Sequence, residues 1–337
     1  MATTQISNLI EPSTYLKYGR EAKPEMLVLL EAAGILAPPP EEVSSQLAAG
    51  GRTIDMPFWQ PLSRTDPDIM DDSATDATPD GMTGAKTRAI KHYWHKGWSQ
   101  RDMSGVITTG NPKDPLQALA SEHENYWAYV KHAHIIYSLQ GVLADNAAND
   151  SGDMIYSAYS DVASPGAANK ISPAAINRAR LTLGDHLNEV GAMSVHSKVY
   201  GDMLDQEAID FVQPSGLKFR IPSFAGINVL VSDYMPVTSG ANSDKYTCYL
   251  YGKGAFGFEE HFPDMAVEVE RKQSTGKGGG ETILHNRRHV LLHPIGFDFT
   301  GSSVASTSPS AAELKLAANW DRKYERKNCR IAQLDVN

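Results

Sequence analysis

One stretch limits the possible fold more than any other: Asp114 to about Ala144, DPLQALASEHENYWAYVKHAHIIYSLQGVLA. Asp114 supplies an N-cap, Pro115 a first-turn proline and Gln117 a capping-box partner, so the start of a helix is well signalled. Leu116, Leu119, Ala120, Trp127, Val130 and Tyr137 recur at helical spacing, while Ser121, Glu122 and Asn125 fall elsewhere. One face is therefore buried and one is wet. At ~1.5 Å per residue the run makes a rod of ~45 Å, long for a helix in a domain of ordinary size. Such a rod is a beam on which other elements are laid. A long core helix of an enzyme is the competing reading, and the flanking sequence decides between them.

Before the beam, residues 1–52 hold a predicted helix from Pro24 to Ala33, a break at Pro38, Pro39 and Pro40, and a second short helix ending at Gly50-Gly51. Leu27, Leu29, Leu30 and Ile35 need covering, yet the segment is too short for its own core. From Thr53 to about Gln100, two strand-like arms flank a tip carrying Asp66, Asp68, Asp71, Asp72, Asp76 and Asp80, with no cation between Arg64 and Lys86. This reads as a long hairpin with an acidic tip. Trp59, Trp94 and Trp98 lie here with Phe58 and Tyr93, and a two-stranded hairpin is too thin to bury them. The hairpin either folds back onto its own subunit or packs on a neighbouring copy, and its length with Gly50, Gly51, Gly97 and Gly105 as hinges at its base favours the neighbour; an active-site lid is the alternative.

After the beam, DNAANDSGD and SDVASPGAANK read as loops, and Ser172-Pro173 opens a helix. GAMSVHSKVYGDML, LKFRIPSF, INVLVSDYMP and KYTCYLYGKGAFGF alternate short helix and strand, which predicts a compact mixed domain with a central sheet. AVEVERKQ and ETILHNRRHVLLHPIGFDF, joined by STGKGGG, form a second hairpin with glycines at its tip. Ser310 to Glu313 is a capping box opening a last helix through Trp320, and NCRIAQLDV is a closing strand.

The chemistry-bearing motifs are weak. Gly252, Gly254 and Gly257 match GxGxxG after a strand, but FEEHFPDM follows where a dinucleotide site needs a helix. A glycine-rich strand end is the better reading. His285, His289 and His293 share one strand face but stand ~13 Å apart pairwise, too far for one ion, and His92 and His95 point to opposite faces. No HExxH, CxxC, GxSxG or Walker A pattern occurs. No metal, cofactor or catalytic residue is expected. The net charge of −9 argues against a broad basic face gripping nucleic acid. Arg287 and Arg288, with Arg322, Lys323, Arg326, Lys327 and Arg330, are candidate partners for the acidic tip. Cys248 and Cys329 suggest no disulfide framework. MATTQISNLI lacks a secretory pattern, and MLVLLEAAGILAPPP is too short for a membrane span, so a soluble chain without membrane contact is expected.

Seven segments, taken in order, resemble one family of proteins. They are TIDMPFW at 53–59, KGWS at 96–99, MSVHSKVY at 193–200, VSDYMPV at 231–237, YLYGKGAFGFEE at 249–260, ILHNRRHVLLHPIGFDFTG at 283–301 and AELKLAANWDRKYERKNCRI at 312–331. The sequence resembles the major capsid proteins of tailed bacteriophages with the Hong Kong 97-type fold. That resemblance implies an α+β fold with an N-terminal arm at 1–52 and an extended loop at 53–100. It further implies a peripheral domain at 101–171 with a spine helix at 114–144, and an axial domain at 172–262. A peripheral hairpin at 263–288 and a return to the axial domain at 289–337 complete it.

The function it implies is a virion shell that self-assembles through pentamers and hexamers in the bacterial host cytoplasm and encloses double-stranded DNA without reading its sequence. A portal, a separate scaffolding protein and a decoration protein are the implied partners. Phe58, Trp59, Asp71, Asp72, Tyr93, Trp94, Trp98, Arg287 and Arg288 are the expected contacts between subunits. An encapsulin-type compartment is the alternative within the same fold, and a nucleotide-binding enzyme using Gly252 to Gly257 the alternative of another class.

Overall fold

The computed structural model describes residues 34–62, 64–67, 69–70, 79–102, 115–206, 209–212 and 221–337. The predicted helix from Pro24 to Ala33, with the rest of the arm before Gly34, lies outside the described residues, as do Asp68, Asp71, Asp72, Asp76 and Gly105. In chain order the elements begin with β1 (Leu36–Ala37), α1 (Glu41–Ala48), β2 (Thr53–Trp59), β3 (Gly84–Arg101) and the long helix α2 (Pro115–Asn149). Then come β4 (Ile155–Ser157), α3 (Pro173–Leu181), β5 (Val190–Val195), α4 (Ser197–Asp205), β6 (Ile209–Val212), β7 (Ile221–Phe224), β8 (Ile227–Val231) and β9 (Val237–Ser239). The chain closes with β10 (Asp244–Gly252), β11 (Phe256–His261), β12 (Val267–Lys272), β13 (Glu281–Pro294), β14 (Phe297–Phe299), α5 (Ala311–Leu314), β15 (Trp320–Arg322) and β16 (Ile331–Val336).

Two sheets organise these elements. A six-stranded sheet runs β1-β11-β13-β3-β2, with β12 also paired to β13. An eight-stranded sheet runs β4-β16-β10-β5-β8-β7-β6, with β9 on β10. The strand β3 is shared along its length: residues 84–90 pair with β2, and residues 91–101 pair with β13 from Arg101↔Glu281 to Lys91↔Leu291. Each half of β3 thus has one strand partner, and the second half of the hairpin expected at 53–100 is paired into the subunit's own sheet.

Helix α2 is 35 residues long, roughly 52 Å at ~1.5 Å per residue. Its buried face, Ile135, Ile136, Leu139, Val142 and Leu143, joins Phe256, Val290, Leu292, Phe297, Phe299, Leu314 and Trp320 in one apolar core between helix and sheet. Gly141 sits in mid-helix, where glycine costs ~1 kcal/mol relative to alanine. The reason is a close approach: a Cβ there would lie 2.0 Å from the carbonyl oxygen of Leu314 and 2.3 Å from Nε1 of Trp320. That indole donates to the same carbonyl at 2.8 Å. The C-terminal segment thus locks against α2 through a notch that only glycine leaves.

Three expectations are corrected. The helix runs past Ala144 to Asn149, because the polar residues read as loop are used within the turn: Asn149 donates to Asp145 at 2.6 Å, and Asn146 donates to Asp153 at 2.7 Å. The helix expected through Trp320 stops at Leu314. Its capping box forms, but Trp320 and Asn319 take the carbonyls of Leu314 and Glu313, and Trp320 enters β15. Gly97 is no hinge, since it lies inside β3 opposite His285.

Two other packing features hold the first sheet. Lys91 is buried, and its ammonium donates to the carbonyls of Gln46 and Ala49, capping the C-terminal end of α1. Arg88 forks onto Asp298, with Nε 3.0 Å and Nη2 2.7 Å from the carboxylate oxygens, and joins the base of the hairpin to β14. A second core lies on the eight-stranded sheet, where Ile176, Leu183, Met193, Val199, Met203, Phe224, Val229 and Leu334 pack under α3 and α4.

Two predictions follow from this packing. Replacing Gly141 by alanine should overpack the helix against Leu314 and Trp320 and cost about 3 kcal/mol or more, read as a fall in Tm by calorimetry. Acid should also weaken the fold. Burial, with His134 and His293 nearby, holds His92 down at about 3, while burial lowers His132 and His293 to about 4 each. An unfolded histidine takes up its proton near pH 6.5, so the stability these three supply is complete above that pH. It is lost as pH falls from 6.5 towards 4, at about 1.4 kcal/mol per pH unit for each histidine. Urea unfolding between pH 7 and pH 5 should show this slope, and a His92→Gln variant should lessen it.

Candidate functional site

The surfaces that carry function are those that the subunit leaves uncovered, so each expected contact residue is followed to its surroundings. Strand alternation puts Trp94 and Trp98 of β3 on the face that meets α2. Trp94 stacks on Trp127 with ring centroids 6.0 Å apart and planes within 13°, and also meets His134 at 4.7 Å. Trp98 meets Tyr126 edge-on at 5.4 Å. These two tryptophans serve the subunit's own helix–sheet packing. Tyr93, on the opposite face, donates its hydroxyl to the carbonyl of Gly51 at 2.7 Å and meets His289 edge-on at 4.7 Å.

The two arginines separate. Arg287 donates to Glu268 and to the carbonyl of Met265, each at 3.0 Å, and stays partly exposed. Arg288 has a side chain only 2% exposed, pairs with Glu260 at 2.8 Å, and lies over the rings of Trp127 and Phe262 at 5.2 and 5.3 Å. Lys131 of α2 reaches the other carboxylate oxygen of Glu260. One carboxylate thus holds two cations from different elements, and Arg288 has no surface left for a neighbour to cover. Buried pairs of this kind penalise removal of one partner more than they stabilise the fold.

The cations proposed as partners for the acidic tip are also engaged within the chain. Arg322 holds Asp150 at 3.3 Å and Asp153 at 2.7 Å, Lys327 pairs with Asp185 at 2.9 Å, and Arg330 pairs with Glu189 at 2.9 Å. Lys323 pairs with Asp321. Their charge is spent on joining the C-terminal segment to the helix end and to the turn at 184–189.

What remains uncovered lies at the free end of the first hairpin. Trp59 is 69% exposed, Ile69 92% and Met70 98%, with Leu62 and Met82 beside them in sequence. Phe58 is half-buried, edge-on to Tyr324 at 4.6 Å. A second apolar row, Phe262, Met265, Val267 and Val269, runs into β12 and is also exposed. The sequence reading missed this row because Glu268 and Glu270 alternate with the valines and disguise a one-sided strand. Period-two counting over 267–272 would have found it.

The glycine motif has a plain structural use. Gly252 ends β10, where a Cβ would lie 2.9 Å from Cβ of Arg330, and Gly254 turns the chain at φ +65° into β11. A strand follows, not a helix, so no helix N-terminus is available for phosphate.

With this geometry in hand, the relatives decide the family. Residues 45–329 match the Gp13-like family, described as "Major capsid protein 13-like". The chain belongs to the Gp13-like family of major capsid proteins. It is 32% identical over 342 residues to the major capsid protein of Bacillus phage SPP1, covering 99% of this chain and 98% of that one. Among solved structures, the capsid of Helicobacter pylori bacteriophage KHP30 superposes with a TM-score of 0.57 at 9% identity, covering 100% of this chain and 99% of that one. The capsid of Ralstonia phage GP4 gives 0.57 at 10% identity, over 90% and 87%. At such identities the structures speak for the fold, the Hong Kong 97-like α+β arrangement, and the sequence relatives speak for function. A Gp13-like chain is a structural subunit of a phage head shell and not an enzyme, which sets aside the encapsulin and nucleotide-enzyme alternatives.

The tryptophans of this Gp13-like subunit therefore fall into two groups. Trp94→Ala should cost the isolated subunit about 3 kcal/mol or more, because it opens a cavity beside Trp127. Glu260→Gln should destabilise it by about 3 kcal/mol, leaving Arg288 and Lys131 short of a countercharge. Both losses are measurable by denaturant unfolding of unassembled protein.

Proposed function

We propose that the chain closes its shell through pentamers and hexamers, with the free part of the first hairpin laid on an adjoining copy. The uncovered apolar end of that hairpin carries this reading. Trp59, Ile69 and Met70 are largely exposed among the described residues, and at ~25 cal/mol per Å² of apolar surface a neighbour that covered them would gain several kcal/mol per contact. In a closed shell each subunit makes several such contacts, so individually weak ones add up.

In this reading residues 1–52 are an arm, 53–100 the extended loop, 101–171 and 263–288 the peripheral domain, and 172–262 with 289–337 the axial domain. Of the eight-stranded sheet all strands but β4 lie in the axial ranges, whereas the six-stranded sheet takes β11 and the end of β13 from those ranges and β1, β2 and most of β3 from the arm and the loop. Of the expected contact residues, Trp59 is exposed, and Phe58, Tyr93, Trp94, Trp98 and Arg287 are half-buried and keep surface that suits an interface, whereas Arg288 is buried; Asp71 and Asp72 are retained as charges for the same contact. The shell encloses double-stranded DNA, is assembled in the host cytoplasm, and works with a portal, a separate scaffolding protein and a decoration protein.

The test separates assembly from folding. Trp59→Ala should leave the unfolding midpoint of the free subunit within about 2 °C of the parent, because an exposed side chain contributes little to the isolated fold. Particle yield by sedimentation should drop by about tenfold or more. A Trp59→Ala subunit that assembles normally would place the contact elsewhere, and one that loses its own stability would put the hairpin end inside the subunit.

A further inference from the structure

The strand face opposite Trp94 and Trp98 brings together histidines that are far apart in sequence. His95 of β3 and His285 of β13 meet across the ladder, with Nε2 of His95 3.0 Å from Nδ1 of His285. Their ring centroids are 5.2 Å apart and the planes differ by 22°. Two nearly parallel rings at that centroid distance, with nitrogens touching, lie edge to edge. Each lone-pair axis is directed at the other ring.

A third residue sets the protons. Nε2 of His285 lies 3.0 Å from Oε2 of Glu270 on β12. An ionised carboxylate only accepts, so His285 carries its proton on Nε2 and presents a bare lone pair at Nδ1. In the hydrogen-bonded pair His95 then donates from Nε2. Opposite His285 in the register stands Gly97, where an added Cβ would come 3.4 Å from Nδ1. Glycine keeps that nitrogen open. Arg287, the cross-strand neighbour of His95, has its charge met by Glu268 at 3.0 Å.

We propose that His95 and His285 form a two-histidine chelate for a divalent transition-metal ion, with Glu270 as the positioning carboxylate behind His285. Among the described residues no set of three His, Cys, Asp or Glu is placed to hold an ion, so water fills the other coordination positions. Two imidazole nitrogens each ~2.05 Å from an ion stand ~2.9 Å apart at a right angle and ~3.4 Å apart at the tetrahedral angle, so the hydrogen-bonded separation of 3.0 Å brings both within reach of one ion. On binding, His95 moves its proton from Nε2 to Nδ1, and both rings tilt so that their lone pairs converge on the ion. The carboxylate behind a ligating histidine is a recurrent device that fixes ring orientation and raises basicity. The inference does not depend on how subunits pack in the shell.

Titration calorimetry of the full chain with CuCl₂, NiCl₂ or ZnCl₂ at pH 7.5 in a non-chelating buffer tests it. The expected result is a tight phase of one ion per subunit, with Cu²⁺ bound most strongly. His95→Asn and His285→Asn should each weaken that phase by about tenfold or more while far-UV circular dichroism stays unchanged. Glu270→Gln should weaken it about tenfold at the same stoichiometry. Lowering the pH to 5.5 should weaken it again as protons compete for the imidazoles. The neighbouring pair His261 and His289, with centroids 6.1 Å apart, supplies the control, since His289→Asn should keep the tight phase. No saturable binding, binding unchanged in both His95→Asn and His285→Asn, or loss of the tight phase in His289→Asn would overturn the site. Unchanged affinity in Glu270→Gln would overturn the role of the carboxylate.

Discussion

The rest of the subunit depends on the close seating of the C-terminal segment on the long helix at Gly141. There Trp320 and the Leu314 carbonyl enter a notch in α2, and Phe297, Phe299 and the end of β13 follow them into one core. Its own hydrogen bonds are the smaller part of what holds the helix, since most helical stability in proteins comes from the packed face. That face is supplied by residues some 170 positions later in the chain. The beam and the last segment therefore form together or not at all, and the six-stranded sheet is fastened to both.

From this lock comes a division of labour among the large side chains. Those facing the beam, Trp94, Trp98 and Arg288, complete the subunit and make it rigid. Those beyond the reach of the beam, Trp59, Ile69 and Met70, stay in water. A rigid body with an apolar projection is what a shell subunit requires. The body keeps its shape while the projection supplies the drive for association, because covering exposed apolar surface is favourable whichever copy does the covering. The charges behave alike: Arg322, Lys327 and Arg330 bind acidic groups of the subunit's own body.

Much of this was legible in the sequence, and the failures have physical causes. The beam helix, both hairpins, the capping box at Ser310 and the closing strand were readable because caps, periodicity and turn residues act over a few neighbours. The helix end at Asn149 and the early stop at Leu314 were not, because each is decided by a side chain that meets a backbone group six to eight residues away, beyond the span of the usual caps. Aromatic residues clustered on one hairpin were read as one interface. The register with β13 splits them, since strand pairing adds half of that hairpin to the subunit's own sheet.

By itself the sequence determined the α+β class, the order of elements, the weakness of the glycine motif as a nucleotide site and the family likeness that the relatives bear out. The first three rest on local spacing or on composition, the last on the resemblance of seven segments. Only the tertiary structure decided which tryptophans pack against the long helix, why a glycine interrupts that helix, which arginines are already engaged, and that His95 faces His285. These depend on distances between residues separated by 19 to 190 positions, and such distances are set by how strands align and how a helix seats, which no local pattern records.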